Sequence, residues 1–500
     1  MRSATIKKSI SPVSIFILLF FIKVIFFAFF IIPLWDVPDE TGHFSYVRDL
    51  AEFKGFPLLG ESLIGGDIQS HVYQEEHRGP VGNWIAQHPP LYYLLAAPFY
   101  WAGQLLTDDS EMLFRAPRVA SALSGSLTLL VLDRIMLTFG LKLLVRLSII
   151  ASFASVPMYS LLSSGTNQDT TLAFFCSLAT LSWIHFLKNE KYNDALLCAF
   201  WLSLSVLTKM TALVFAFALM LTTVHFFKKN YSLRKWVIKS SFLALVSLSL
   251  PALWMLRQYF NFGNPFITAS SFGKWKLDNP LEISFMGFIE QQPVLEHFFN
   301  NFYGLIGWTG SGLGEVRWFQ VGGFPYQCFS VSIFLLSVLF VCLFLLDIKK
   351  NINHYMIFLF FLIFILFQFY IKMFCCGDFF SIIRNNTFIL WFSVFAFSFI
   401  YIFVKPDFFS KIISYSLFVC GFMVAVVLSE VYEIYLLDGR MRATHGRYFY
   451  PLIGLFSVFF SYIGINLPRV SHFIFPFIAI CFIALEGYVW LYISLPFFRG

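Results

Sequence analysis

Four residues able to move protons or ligate cations fall within eight positions: Asp36, Asp39, Glu40 and His43, in the stretch IIPLWDVPDETGHFSYVRDL from Ile31 to Leu50. A carboxylate can serve as a general base, and a carboxylate–imidazole set can also hold a divalent ion. If the stretch is helical, about 100° per residue puts all four within an arc of roughly 100°, on one face. The plainer reading is capping. Asp36 suits an N-cap, Pro38 suits the first turn, and acids there complement the helix dipole. Capping accounts for Asp36 but not for His43 on the same face.

The setting of this cluster follows from composition. The chain has 500 residues, is 58% hydrophobic and carries only 13% charged residues; Phe alone supplies 67. A soluble protein of this size needs more charge to cover its surface. Many windows of ~17–25 residues hold at most one charge, enough to cross a ~30 Å hydrocarbon core. The runs are uniformly apolar rather than alternating, which excludes a β-barrel. The fold class is therefore all-α and polytopic. The net charge of +7 does not point to nucleic acid, because Lys and Arg are scattered between apolar runs. The first run is long and lacks a small-residue cleavage site, so it reads as a permanent helix.

Thirteen spans are expected, near 12–33, 114–138, 143–163, 169–187, 192–208, 210–227, 236–255, 328–346, 355–374, 386–404, 411–435, 448–466 and 471–495. With Arg2, Lys7 and Lys8 in the cytoplasm, the short loops with Lys142, Lys188, Lys228, Lys349, Lys405 and Arg469 lie inside as well. The C-terminus then lies outside. Two long segments, 34–113 and 256–327, collect most of the acids on the outer side. Within the first, 38–53 and 89–106 read as interfacial helices. The chain 1–500 reads as one membrane domain with these two outer loops. Cys176, Cys198, Cys342, Cys420 and Cys481 lie inside spans, and no Cys/His zinc spacing occurs.

Further motifs follow the acidic cluster at intervals. PDETGHF is followed some fifty residues on by QHPPLYY, and then by RAPRVASALSGSL. SSGTNQDTTLAFF, LSVLTKMTAL, RQYFNFGNPF, FYGLIGWTGSGL and HGRYFYP come later. This pattern resembles the C-type glycosyltransferase superfamily. It is most similar to bacterial relatives of the protein O-mannosyltransferases and the lipid A aminoarabinose transferases. The resemblance implies transfer of one sugar from a polyprenyl-phosphate donor to an acceptor glycan, lipid or protein, on the outer (periplasmic) face of a bacterial inner membrane. No cofactor is required by it, although the Asp/Glu/His cluster could take a divalent metal.

Asp39 matches the family's first-loop acid and is expected to be the base; Glu40 matches its neighbour and could orient the acceptor. The leaving phosphate needs cations rather than an acid. Lys209, Arg447, Arg257 and His88 are the candidates. Each has a plain alternative. Lys209 could snorkel or mark a turn, Arg447 could anchor the interface with Tyr448 and Tyr450, and Arg257 could simply flank a span. His88 stands where aminoarabinose transferases carry a lysine, and a histidine brings less charge at neutral pH. It could contact phosphate, contact acceptor or cap the next helix. His43 could orient the acceptor, Asp169 could bond Asn167 and shape the site, and Arg118 reads as bundle packing.

Two other classes compete. A transporter or flippase of lipid-linked saccharides would carry charges inside spans. An O-antigen ligase or polymerase would carry its main outer loop late in the chain. Here the charges gather outside the spans, and a major loop comes first.

Overall fold

A chain crossing lipid must satisfy its backbone internally, so each apolar run closes into a helix. The computed structural model describes residues 11–72, 80–230, 232–267, 277, 280–292, 294, 305–306, 319–320, 408–439 and 446–499. The first span is α1 (Pro12–Phe26), continued by a π turn, Phe27–Ile31. The segment after the first span contains α2 (Glu40–Ala51), α3 (Gly66–Val72), a 3-10 turn at Trp84–Gln87 and α4 (Leu91–Leu106). Then come α5 (Ser110–Arg115), α6 (Arg118–Thr138), α7 (Leu143–Ala154), α8 (Pro157–Ser163) and α9 (Asp169–Asn189). They are followed by α10 (Tyr192–Thr208), α11 (Ala212–Asn230), α12 (Leu233–Phe262) and α13 (Phe285–Gln291). The last described stretch has α14 (Phe408–Asp438), a 3-10 turn at Gly446–Leu452, α15 (Ile453–Asn466), α16 (Pro468–Tyr488) and α17 (Leu495–Arg499). Leu305–Ile306 pairs antiparallel with Phe319–Gln320.

The protein is an all-α polytopic membrane protein. Seven helices among the described residues are long and apolar enough to cross a membrane, and α7 with α8 forms an eighth candidate bent by 72°. The expected single helix over 143–163 is therefore broken. Pro157 has no N–H to continue the ladder, and α8 turns away at it. Shorter apolar helices, Tyr192–Thr208 in α10 and Ala212–Phe226 in α11, stand where spans are expected at 192–208 and 210–227. The expected spans at 328–346, 355–374 and 386–404, and most of the second outer segment, fall outside the described residues.

Of the three apolar cores formed by the described residues, two bear on the site. One fills the bundle, where α9 packs between α6 and α10 with Leu129, Leu172, Trp183 and Val206 buried. The other, with Trp35, Phe44, Tyr46, Ile85, Tyr93 and Phe114, ties α2 and α4 together above it. Lipid supplies no hydrophobic drive between helices, so close packing of small side chains and internal hydrogen bonds must hold the bundle. The α6–α9 contact has both: Ser124 and Thr171 hydroxyls lie 2.7 Å apart, and Ser121 donates to the Asn167 carbonyl at 2.9 Å.

The loop between α8 and α9 passes against the segment that follows the first span at Gly165. A Cβ there would clash with three side-chain carbons of Val37. Gly165→Ala should therefore lower stability by about 1–3 kcal/mol through overpacking. Gly66, at the start of α3, has open space around its missing Cβ. Thermal midpoints in detergent should fall for Gly165→Ala and stay near the parent for Gly66→Ala. Equal midpoints would mean that the loop does not pass so close.

Candidate active site

The acidic cluster does not lie on one helical face. The helix starts at Glu40, and Asp39 precedes it in the left-handed region with φ 61°. Asp tolerates that conformation better than most residues. The consequence is that neighbouring carboxylates face opposite ways. Asp36 is buried ahead of the helix, and Asp39 rather than Asp36 occupies the N-cap position, making no side-chain cap bond.

Glu40 turns inward and is 1% exposed. Its Oε1 accepts from Arg118 Nε at 2.7 Å and from the Thr166 N–H at 2.9 Å. Its Oε2 accepts from Arg118 Nη2 at 2.7 Å and from the Trp35 N–H at 2.9 Å. Arg118 also donates to the carbonyls of Ala28, Ile32 and Pro33 at the end of the first span. Four donors occupy the carboxylate, so this geometry makes Glu40 a structural junction rather than an acceptor-binding group. The same turn takes apart the Asp/Glu/His set considered for a divalent ion. Among the described residues no group of three or more such side chains is placed to hold a metal.

Asp39 turns outward, with its side chain 20% exposed. Its Oδ2 accepts from Arg447 Nη2 at 2.7 Å and its Oδ1 from the Trp84 indole at 3.1 Å. Behind Arg447 lies Asp169, 3.6 Å from its Nε. Asp169 in turn accepts from Lys209 Nζ at 2.7 Å. The order is thus Asp39, Arg447, Asp169, Lys209, alternating in sign and neutral in sum. The last three are nearly buried, at 2–7% side-chain exposure. Lys209 also sits over the Tyr448 ring at 4.9 Å. These residues come from four elements: the N-terminal edge of α2, the 3-10 turn before α15, the start of α9 and the end of α10. Asn167 bonds as expected at the turn, but it is the Asp169 N–H that donates to its Oδ1, at 2.7 Å; the Asp169 carboxylate is left for the cations.

His43 and His88 lie beside this row, their rings near parallel with centroids 6.4 Å apart. His43 Nδ1 is 3.0 Å from the Tyr93 hydroxyl, which donates to Gln168 Oε1 at 3.2 Å. Burial, opposed by the Asp39 and Asp169 charges and assisted by those of Arg447 and Lys209, lowers the His43 pKa to about 4. Burial and the Lys209 charge also push His88 well below the ordinary range. Both rings are neutral at pH 7, so His88 offers a dipole to an anion and not a charge. Arg257 is apart from the row. It lies on α12, which runs past the expected end at 255, and donates to the carbonyls of Phe56 and Pro57.

Sequence reasoning missed Trp84, Tyr93 and Gln168 as site partners. Trp84 precedes QHPPLYY by three residues and Gln168 sits inside SSGTNQDTTLAFF, so their motifs were visible while their contacts were not.

The sequence pattern of the dolichyl-phosphate-mannose-protein mannosyltransferase family matches residues 87–254, about a third of the chain. The match takes in QHPPLYY, RAPRVASALSGSL, SSGTNQDTTLAFF and LSVLTKMTAL, so the resemblance drawn from those motifs holds over this segment. Asp39 and Arg447 lie beyond it. No curated protein matches the chain. Among solved structures, one similar chain belongs to the Saccharomyces cerevisiae Pmt1–Pmt2 O-mannosyltransferase complex bound to the sugar donor. It is 18% identical over 54% of this chain and 36% of that one, with a TM-score of 0.35. The chain thus spans about a third of that relative's length. ArnT from Cupriavidus metallidurans bound to undecaprenyl phosphate is 12% identical over 91% of this chain and 78% of that one, with a TM-score of 0.35. The apo oligosaccharyltransferase of Archaeoglobus fulgidus is 13% identical over 97% and 57%, with a TM-score of 0.39. Superpositions this loose carry no argument about function.

The depressed His43 pKa has a sign. The folded state binds its proton only near pH 4, while the unfolded chain binds it near 6.5. Stability is therefore full above 6.5 and is lost as pH falls from there toward 4. Between pH 7.5 and 5 the loss from His43 is about 2 kcal/mol. His43→Gln should flatten this part of the midpoint-versus-pH curve in lipid nanodiscs; an unchanged slope would mean that His43 is solvated.

Proposed function

We propose that the protein is a glycosyltransferase that moves a single sugar from a polyprenyl-phosphate donor to an acceptor glycan, lipid or protein on the outer face of a bacterial inner membrane. The N-terminus would be cytoplasmic and the C-terminus periplasmic. One observation carries the reading: a partly exposed carboxylate, Asp39, touches a nearly buried guanidinium that is backed by a second acid and a lysine.

The row can work as an exchange. A donor phosphodiester presents two oxygens to Arg447, the same bidentate fit that a carboxylate offers. On binding it replaces Asp39 there, with Lys209 close behind. Asp39 then loses its cation and gains an anionic neighbour, and both changes make it a stronger base. It takes the proton from the acceptor hydroxyl or amine as that atom bonds to the anomeric carbon. The bond from this carbon to the phosphate oxygen breaks, and its electron pair leaves with the phosphate. Charge grows on the departing group, where Lys209 and Arg447 act in surroundings poor in water and so count for more. Asp169 keeps the two cations together between turnovers. Among the described residues Glu40, the carboxylate next to Asp39 in the chain, is occupied by four donors and is not free to form a covalent sugar intermediate. A single in-line displacement, inverting the anomeric carbon, is the outcome this favours.

His88, neutral and partly exposed, is suited to contact the donor or acceptor as a hydrogen-bond partner. His43 acts through Tyr93 as a positioning group. Arg257 serves the rim by holding the chain at Phe56 and Pro57. No step calls on a metal.

A lipid-flipping reading draws on a different observation: Lys23 and Glu486 form an ion pair inside the spans at 2.8 Å. One reconstitution separates the two. With a labelled polyprenyl-phosphate sugar and cell-envelope acceptors, Asp39→Asn should slow transfer by about 10²–10⁴ while lipid phosphodiester is still bound. Lys209→Met should weaken that binding. Transfer at the parent rate by Asp39→Asn removes Asp39 as base. Movement of lipid between leaflets without any transfer replaces the enzyme reading with the transporter one.

A further inference from the structure

Lys23 lies in the first span, where a lone ammonium is costly and is retained only with partners. Its Nζ has several. It donates to both carboxylate oxygens of Glu486 on α16, at 2.8 and 3.0 Å, and to the Ser160 hydroxyl at 3.0 Å. It also donates to the carbonyl of Ala154 at 3.1 Å. Ser160 closes the set by donating to Glu486 Oε1 at 2.5 Å.

Two of these partners flank the 72° break. Ala154 is the last residue of α7, and its carbonyl is one that the broken ladder leaves short of a helical N–H. Ser160 is in the first turn of α8. Lys23 therefore bonds to both sides of the bend, while Glu486 balances its charge.

α8 is also the piece that leads to the site. Its Tyr159 ring lies 5.9 Å from that of Tyr450, three residues beyond Arg447, and the Tyr159 hydroxyl donates to the Gly125 carbonyl at 2.7 Å. Beyond Ser163 the chain gives the Thr166 N–H to Glu40, the Gln168 amide oxygen to Tyr93, and Asp169 to Lys209. The angle of α8 thus sets both the Asp169 loop and one wall of the Arg447 turn.

We propose that Lys23, paired with Glu486, is a positioning residue: it pins the α7–α8 bend and so keeps Asp169 and Arg447 at the separation that the site needs. The geometric half stands by itself; the consequence for ligand binding rests on the proposed donor chemistry.

The experiment compares the full-length parent with Lys23→Met, Lys23→Arg, Glu486→Gln and the double swap Lys23→Glu/Glu486→Lys in lipid nanodiscs, each checked for monodispersity and helicity. Hydrogen–deuterium exchange reads the bend, and affinity for farnesyl methyl phosphate, a lipid phosphodiester, reads the site. Removing one partner leaves a buried charge unpaired, so Lys23→Met should speed exchange in 157–169 and 446–452 by at least about tenfold, with 91–106 unchanged. Affinity for the phosphodiester should fall by about tenfold or more, and Lys23→Arg should restore both. If Lys23→Met does not fold, the swap decides: more protection than in either single charge change supports the pin, and no recovery overturns it. Unchanged exchange in a folded Lys23→Met, or faster exchange spread evenly over all helices, overturns it too. Faster exchange at the bend with parental affinity overturns the link to the site. If the parent binds no phosphodiester, the donor reading fails, and the exchange pattern still decides the pin.

Discussion

The Glu40–Arg118 pair holds the segment after the first span to the bundle, and the site depends on it. A buried ion pair is not stabilising by default, because both charges lose their water. Here the loss is offset locally. The carboxylate takes four donors, and the guanidinium meets three carbonyls at the end of the first span. Those carbonyls have no next turn to bond, so Arg118 completes the span while Glu40 completes the entry to α2 and accepts from the loop before α9. Three parts of the chain distant in sequence meet at one pair. Once Glu40 is fixed inward, the left-handed turn at Asp39 has to present that acid on the other side.

The site then has a simple electrostatic logic. Four charges alternate in sign and cancel, so nearly buried cations are kept ready without a bound anion. Asp39 is the most exposed of the four. An incoming anion meets the replaceable acid first, and Asp169 behind it continues to hold the cations. The same principle recurs in the spans, where Lys23, Glu486 and the open carbonyl of Ala154 satisfy one another. Asp133 and Arg146, 3.1 Å apart, form a further buried ion pair, on α6 and α7.

Most described helices were legible because a bilayer demands long apolar runs, and such runs are visible without partners. The two interfacial helices at 38–53 and 89–106 were legible for different reasons: Phe44, Val47 and Leu50 recur at helical spacing among charges in the first, and an apolar, aromatic run opened by Pro89 and Pro90 marks the second. The bend at Pro157 and the length of α12 were not. A proline tells that a ladder is cut but not how far the chain turns, and hydropathy does not mark where a helix leaves lipid for water. The expectation that charge gathers outside the spans failed at Lys23, whose partner is 463 positions away.

The resemblance of its motifs to the C-type glycosyltransferases pointed to Asp39, Lys209 and Arg447, while residue types alone determined that this chain lives in a membrane and that a cluster of acids follows its first span. Those last two conclusions follow from solvation, which each residue carries wherever it sits. Only the tertiary structure decided that Asp39 and Glu40, adjacent in the chain, have opposite fates, and that Asp169 joins the cations and Arg257 does not. The reason is that an ion pair is a matter of distance between atoms. Here that distance is set by a backbone turn with positive φ, a broken helix and the packing of four separate elements, none of which is written in the order of residues near the site.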